Sequence, residues 1–196
     1  MKNALFKTLT ALSLVITSNF VFAEKTFSYD FVEAGYTHSD VKTSTSDLNY
    51  NGYNVKGVKE VASNIHVLGE YMNIERSDNT GLSFKTLGLG LHQSLSVDTD
   101  LVVDVYRTKW TSITDASNNG NFNSGEIKLR HNFSDDLELS LNYEKHNTAT
   151  GYDGFSVGAV KKINNNLSMV FDYASLNRSD STVDWDMSTL SFRRYY

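Results

Sequence analysis

Apolar and polar residues alternate with period two along most of the chain, the mark of β-strands with two unlike faces. Over 137–144, Leu137, Leu139, Leu141 and Tyr143 share one face, and Glu138, Ser140, Asn142 and Glu144 share the other. Ile127, Leu129 and Phe133 likewise oppose Glu126, Lys128, Arg130 and Asn132, and Leu87, Leu89 and Leu91 oppose Gly88, Gly90 and His92. Ten such segments begin near Phe27, Tyr50, Ile65, Leu82, Leu101, Gly125, Leu137, Gly154, Leu167 and Trp185. The second and tenth are the least regular, which leaves eight strands as the alternative. The pattern predicts an all-β chain folded as a closed antiparallel up-and-down barrel of ten strands, an even count that returns both ends to one side.

One unit recurs. Asn64-Ile65-His66-Val67-Leu68-Gly69-Glu70-Tyr71 matches the stretches from Asp136 to Tyr143 and from Asn166 to Tyr173, each a turn residue, an alternating run, and Tyr seven positions on. Asp100 to Val105 reads as a fourth copy with Arg107 in place of the Tyr, which spaces the turns 36, 36 and 30 residues apart. That is the length of a long hairpin and its far connection. Turns at Val61 to Asn64, Ser134 to Asp136 and Asn164 to Asn166 are short. The opposite connections, His38 to Asp47, Thr111 to Ser124, Thr148 to Asp153 and Leu176 to Asp184, read as longer loops rich in Ser, Thr, Asn and Asp.

The first segment is of another kind. Lys2 and Lys7 precede a mostly apolar stretch from Leu9 to Phe22, and Val21-Phe22-Ala23 offers small residues for cleavage, so 1–23 reads as a secretory signal peptide and 24–196 as the mature domain. Removing Lys2 and Lys7 takes the 18 basic residues to 16 against 23 acidic, a mature net charge of −7. This acidity argues against a nucleic-acid partner. The absence of cysteine excludes disulfides and thiolate chemistry. No later apolar run is long enough for a membrane helix, but a membrane barrel needs none and keeps a low mean hydropathy, here −0.36.

Alternation alone describes a soluble barrel with its apolar face inward as well as a membrane barrel with that face outward. Three features favour the second. The polar face carries charges of both signs: Glu33, Lys56, Glu70, Asp104, Glu126, Lys128, Arg130, Glu138, Glu144 and Asp172. Aromatics mark strand ends on the apolar face, with Tyr36, Tyr53, Tyr71, Tyr143, Phe155 and Tyr173 toward the long loops and Phe133 and Tyr196 toward the short turns, as the two interfaces of a membrane would require. The last strand sets Leu190, Phe192 and Tyr196 on one face and ends in that aromatic.

That final strand resembles the signal by which outer-membrane barrels engage the barrel-assembly machinery. With Val32-Glu33-Ala34-Gly35-Tyr36 in the first strand, the mature chain resembles in pattern the small outer-membrane β-barrel proteins of Gram-negative bacteria, of the OmpX and OmpA transmembrane-domain type. Arg194 departs from the apolar residue usual in such a strand. The resemblance implies a monomer in the cell outer membrane, with lipids and lipopolysaccharide as partners and no cofactor. Its role would be non-enzymatic: envelope structure, surface interaction or limited passage of small solutes.

Candidate chemistry is sparse. Standard hydrolase, zinc-protease and nucleotide-binding motifs are absent. A lipid A-modifying enzyme, the alternative reading, would need a histidine near the outer rim, and the candidates are His38 with Ser39 and Asp40, and His146 with Glu144. A soluble periplasmic ligand-binding barrel is the other alternative. His66, His92 and His131 fall within strands, no pair of histidines has metal-ligand spacing, and Asp98 and Asp100 read as turn residues. Gly88-Leu89-Gly90 lies inside a strand and suits close packing in the bore. Glu126, Lys128, Arg130 and Glu138 sit where one hairpin would pair opposite charges. Ten strands stand near the closed end of the size range, so a filled or weakly conducting bore is expected. The Thr111–Ser124 segment, with Asn118-Asn119-Gly120-Asn121-Phe122, reads as a mobile surface loop. Arg107 and Lys109 stand where lipopolysaccharide phosphates would lie.

Overall fold

The computed structural model describes residues 27–148, 151–178 and 183–196. The expected leader, 1–23, lies outside them. Ten strands follow one another: β1 (Phe31–Lys42), β2 (Asp47–Ala62), β3 (Ile65–Glu75), β4 (Gly81–Ser96), β5 (Thr99–Ser112), β6 (Asn119–Ser134), β7 (Leu137–Asn147), β8 (Tyr152–Asn164), β9 (Leu167–Arg178) and β10 (Asp184–Tyr195). Each pairs antiparallel with its neighbours in sequence, and β1 pairs with β10, so the sheet closes on itself. The expectation of ten strands holds; the eight-stranded alternative does not. Closure leaves no strand edge exposed.

The two faces are inverted relative to a soluble barrel. Val32, Tyr36, Leu87, Leu89, Val105, Leu129, Leu141, Phe155, Phe171 and Phe192 are exposed on the outside, while Glu33, Asp104, Arg130 and Asn142 are buried within. The exterior is a belt of aliphatic residues bounded by rings. Tyr36 pairs with Tyr53 across β1–β2, and Tyr143 with Phe155 across β7–β8, their rings 5.1 Å apart. Tyr71 and Tyr173 join them toward the end with the longer connections, here the outer end, and Phe133 and Tyr196 stand at the end with the short turns, the inner end. Leu190, Phe192 and Tyr196 face outward as expected, and so does Arg194.

The four inner turns are copies of one device. Val61, Leu95, Phe133 and Ile163 each stand at a register shift just before the turn, and all four are exposed. A bulge there sharpens the local twist and carries an apolar side chain to the rim. The carbonyls of Asn64, Asp98, Asp136 and Asn166 each accept a backbone N–H from the next strand but one, from His92, Asn132, Lys162 and Tyr195. Asp98, not Asp100, is therefore the counterpart of Asn64, and the true spacings are 34, 38 and 30. A slip of two residues preserves the parity of the alternation, so the pattern alone could not expose it.

Two of the outer connections, β1–β2 and β5–β6, are shorter than their polar composition implies. β1 and β2 stay paired as far as Lys42 and Asp47, and β5 and β6 as far as Thr111 and Asn119. Only 113–118 separates β5 from β6, so the expected mobile loop over Thr111–Ser124 is mostly strand. Gly120 lies under Trp110, where a Cβ would stand 2.7 Å from the indole nitrogen. Cross-strand packing here overrides the poor strand propensity of Asn and Gly. β1 begins at Phe31, later than the expected start at Phe27; residues 27–30 do other work.

Candidate functional site

Those residues turn into the inner end of the bore. Phe27, Tyr29 and Phe31, separated by two positions each, pack with Val58, Leu68 and Val102 into a small apolar cluster inside the barrel. Tyr29 stacks on His92, with centroids 3.7 Å apart and planes at 8°, and on His66 at 5.0 Å. Its hydroxyl donates to Asp100 Oδ2 at 2.9 Å. The Arg130 guanidinium lies 4.6 Å from the Phe27 ring and 4.9 Å from the Tyr29 ring. Its Nε and Nη2 donate to the two carboxylate oxygens of Glu138 at 2.7 and 2.8 Å. Such a fork holds a buried charge that would otherwise be costly to desolvate. The chain thus stoppers its own barrel.

Above the stopper lies a belt of paired charge. Arg193 Nε donates to Glu33 at 2.9 Å while its guanidinium covers Phe31, Lys128 meets Glu126 at 2.7 Å, and His66 Nε2 meets Asp104 Oδ1 at 2.9 Å. Gly90 makes room for that last pair, because a Cβ there would fall about 2 Å from both partners. All ten charges expected in the lumen do line it. The Glu126, Lys128, Arg130 and Glu138 group expected in one hairpin forms two ion pairs. Within the belt is a polar cavity of about 220 Å³, onto which Asn54 and Asn142 turn side-chain oxygens that meet no protein donor. That is the setting in which buried water belongs.

The outer part of the bore is different again. Phe84, Tyr106, Trp110, Phe122, Tyr152 and Trp185 line a larger cavity of about 600 Å³. On its wall Ser124 Oγ lies 2.7 Å from His146 Nδ1, His146 Nε2 lies 3.2 Å from Glu144 Oε2, and the Tyr106 hydroxyl donates to the same oxygen at 3.0 Å. Glu144 and His146 were expected together; Ser124 and Tyr106 join them across the β5–β6–β7 ladder. The order serine, imidazole, carboxylate resembles an activated nucleophile. It faces the lumen rather than lipid, and the strand ladders commit the backbone N–H groups around Ser124 to interstrand bonds instead of an oxyanion hole.

The other histidine candidate comes apart. His38 points outward, to Asn51 at 2.8 Å and Asp40 at 3.3 Å. Ser39 points inward and accepts the indole N–H of Trp185. Successive residues of a strand face opposite ways, so His38 and Ser39 cannot act on one substrate. His131 also stands outside, against Thr99. His66, His92 and Asp100 belong to the stopper. Arg107 and Lys109 project outward near the outer end, joined by Lys85, which pairs directly with Lys109. The three interrupt the ring of tyrosines between Tyr71 and Tyr143, and none makes an ion pair within the described residues.

No protein-family model matches the chain, and no curated protein matches it in sequence. Solved structures do resemble its fold. The β domain of the Bordetella autotransporter BrkA superposes with a TM-score of 0.55 at 11% identity, covering 86% of this chain and all of that one. Neisserial surface protein A gives 0.46 at 9% identity, covering 86% and 98%, and Ail of Yersinia pestis gives 0.43 at 14%, covering 86% and 100%. The likeness to the BrkA β domain is one of overall fold.

Proposed function

We propose that the protein is an integral, monomeric barrel of the cell outer membrane, exported by its leader, with a structural role in the envelope and no general pore. The observation that carries this reading is the inversion of polarity. Ten strands turn a belt of aliphatic and aromatic residues outward and ion-paired residues inward, where they narrow the inner half of the bore together with the chain's own Phe27, Tyr29 and Phe31. An apolar belt of this extent in water would be an aggregation surface; in lipid it is the required one. β10, with Leu190, Phe192 and Tyr196, would meet the assembly machinery.

Lysine facing lysine across β4–β5, beside Arg107, is a repulsive arrangement that an anion resolves. Lipopolysaccharide phosphates are the anions at that height. Charge reversal at Arg107 and Lys109 should therefore abolish the added heat resistance that lipopolysaccharide gives the purified barrel; an unchanged gain would remove lipopolysaccharide from the reading.

The decisive experiment compares electrophoretic mobility of the detergent-extracted protein in SDS with and without boiling, followed by single-channel recording. A membrane barrel survives SDS unheated and shifts on boiling, and the stoppered bore passes far less current than a general porin. Recovery in the soluble periplasmic extract without a heat shift would overturn the membrane assignment. Porin-sized currents would overturn the closed bore. The absence of a catalytic role is read at Ser124: a fluorophosphonate should leave it unlabelled, whereas stoichiometric labelling would make the Ser124–His146–Glu144 array a nucleophile.

A further inference from the structure

The outer cavity has a chemistry that a stoppered structural barrel does not need. Six aromatic side chains turn into it, yet they leave about 600 Å³ unfilled, a volume within the range of small-molecule sites. Filling a bore calls for close packing, as at the inner end; aromatic walls around open space instead suit a guest with an apolar body. Phe84 and Tyr152 stand 6.0 and 6.5 Å from Trp185, so these three rings form one stretch of wall.

The floor of the cavity sets the sign of the guest. Lys56, Glu70, Asp104, Glu126 and Glu144 line it, one ammonium among four carboxylates. Lys128, beside Glu126, supplies a second ammonium and leaves two more carboxylates than ammonium groups, with the imidazoles of His66 and His146 against Asp104 and Glu144. Glu70 makes no ion pair within the described residues, although it faces Lys56 across the β2–β3 ladder. Glu144 receives the Tyr106 hydroxyl and lies 3.2 Å from His146 Nε2, and it makes no ion pair with a lysine or arginine among the described residues. Aromatic faces carry negative potential and attract cations as well. Walls and floor therefore select the same charge.

We propose that the outer half of the lumen is a binding site for organic cations with an apolar or aromatic body, such as aryl amines and quaternary ammonium compounds. The body lies between Trp110, Phe122 and Trp185, and the charged head sits over Glu70 and Glu144. A neutral hydrocarbon leaves the carboxylate excess uncompensated, and an anion is repelled by it. The site is a property of the barrel interior and goes beyond the envelope role, since it requires binding but no passage.

The two tryptophans of the chain both line this cavity, so indole emission reports on it alone. The test titrates the full barrel, in nanodiscs of phosphatidylcholine, with benzyltrimethylammonium and with benzylsulfonate, a probe of similar shape and opposite charge. The expected result is a saturable change with the cation and binding at least about tenfold weaker with the anion. Glu70→Gln and Glu144→Gln, checked for an unchanged heat shift, should each weaken the cation severalfold and leave the anion no weaker. Failure of the cation to saturate, equal binding of the two probes by the unmodified barrel, or indifference to both substitutions would overturn the site. The heat shift of the same preparation reads the membrane-barrel assignment separately.

Discussion

The inner and outer halves of the lumen are built on the same strands with the same alternation, yet one is filled but for a pocket of about 220 Å³ and the other is hollow. At the inner end the bore is filled by Phe27, Tyr29 and Phe31, by paired histidines and by arginines in forked or stacked contacts. At the outer end aromatic residues of similar bulk line the wall and leave a cavity. Alternation decides which way a side chain points, not whether anything meets it there. In the inner half the partner is the chain's own N-terminal segment, which the strands alone would not supply.

This contrast makes the largest expected effect fall on the stopper. Arg130→Met removes the guanidinium that forks onto Glu138 and covers two rings, and it leaves the carboxylate buried without its partner. Breaking one side of such a pair costs about 3–5 kcal/mol. Urea titration of the heat-shifted band should show that loss, and single-channel recording should show current absent from the unmodified barrel. Unchanged current would mean that the charge belt, not the stopper, closes the bore.

A matched pair of truncations compares the two ends directly. Phe31→Ala empties a buried contact beneath Arg193 and beside Tyr195, and should cost about 3–5 kcal/mol. Phe122→Ala enlarges a cavity that is already open, and should cost about 1 kcal/mol while weakening the organic cation. Equal losses would show that the outer half is packed as tightly as the inner. A finer cut is Tyr29→Phe, which keeps the stacking on His92 but strands a buried oxygen of Asp100, a change of about 1–3 kcal/mol by the same urea titration.

Much of this was legible in the sequence. The ten strands, the outward apolar belt and all ten lumen charges follow from parity, because charge on one face and rings on the other leave little freedom. What escaped was whatever parity does not constrain. Asp100 shares the parity of the turn-like Asp98, so only the hydrogen bond from Tyr29 separates the two roles. Residues 119–124 read as loop because Asn and Gly carry no strand signal of their own, although Phe122 and Ser124 keep the parity of the lumen face. Ser124 became a partner of His146 only through the β6–β7 register. Phe27, Tyr29 and Phe31 at alternate positions were a readable sign of a shared face, but not that its first part leaves the sheet.

The smallest effect tests the inner rim, below both halves. The Lys161 ammonium and the Ser134 hydroxyl bond the Asp136 carboxylate and hold it below its usual value of 3.8. A depressed value in the folded state means a contribution to stability that is complete above the unfolded value and lost as pH falls through the folded one. The site is exposed, so the contribution is small and screened by salt. The difference in urea midpoint between the unmodified barrel and Asp136→Asn should be greatest near neutral pH and should shrink below about pH 4. Acid also protonates the lumen carboxylates, but both proteins share that loss, and their difference isolates the rim. If the difference stays constant with pH, the turn is held by the bulge at Phe133 and its backbone bond to Lys162 rather than by charge.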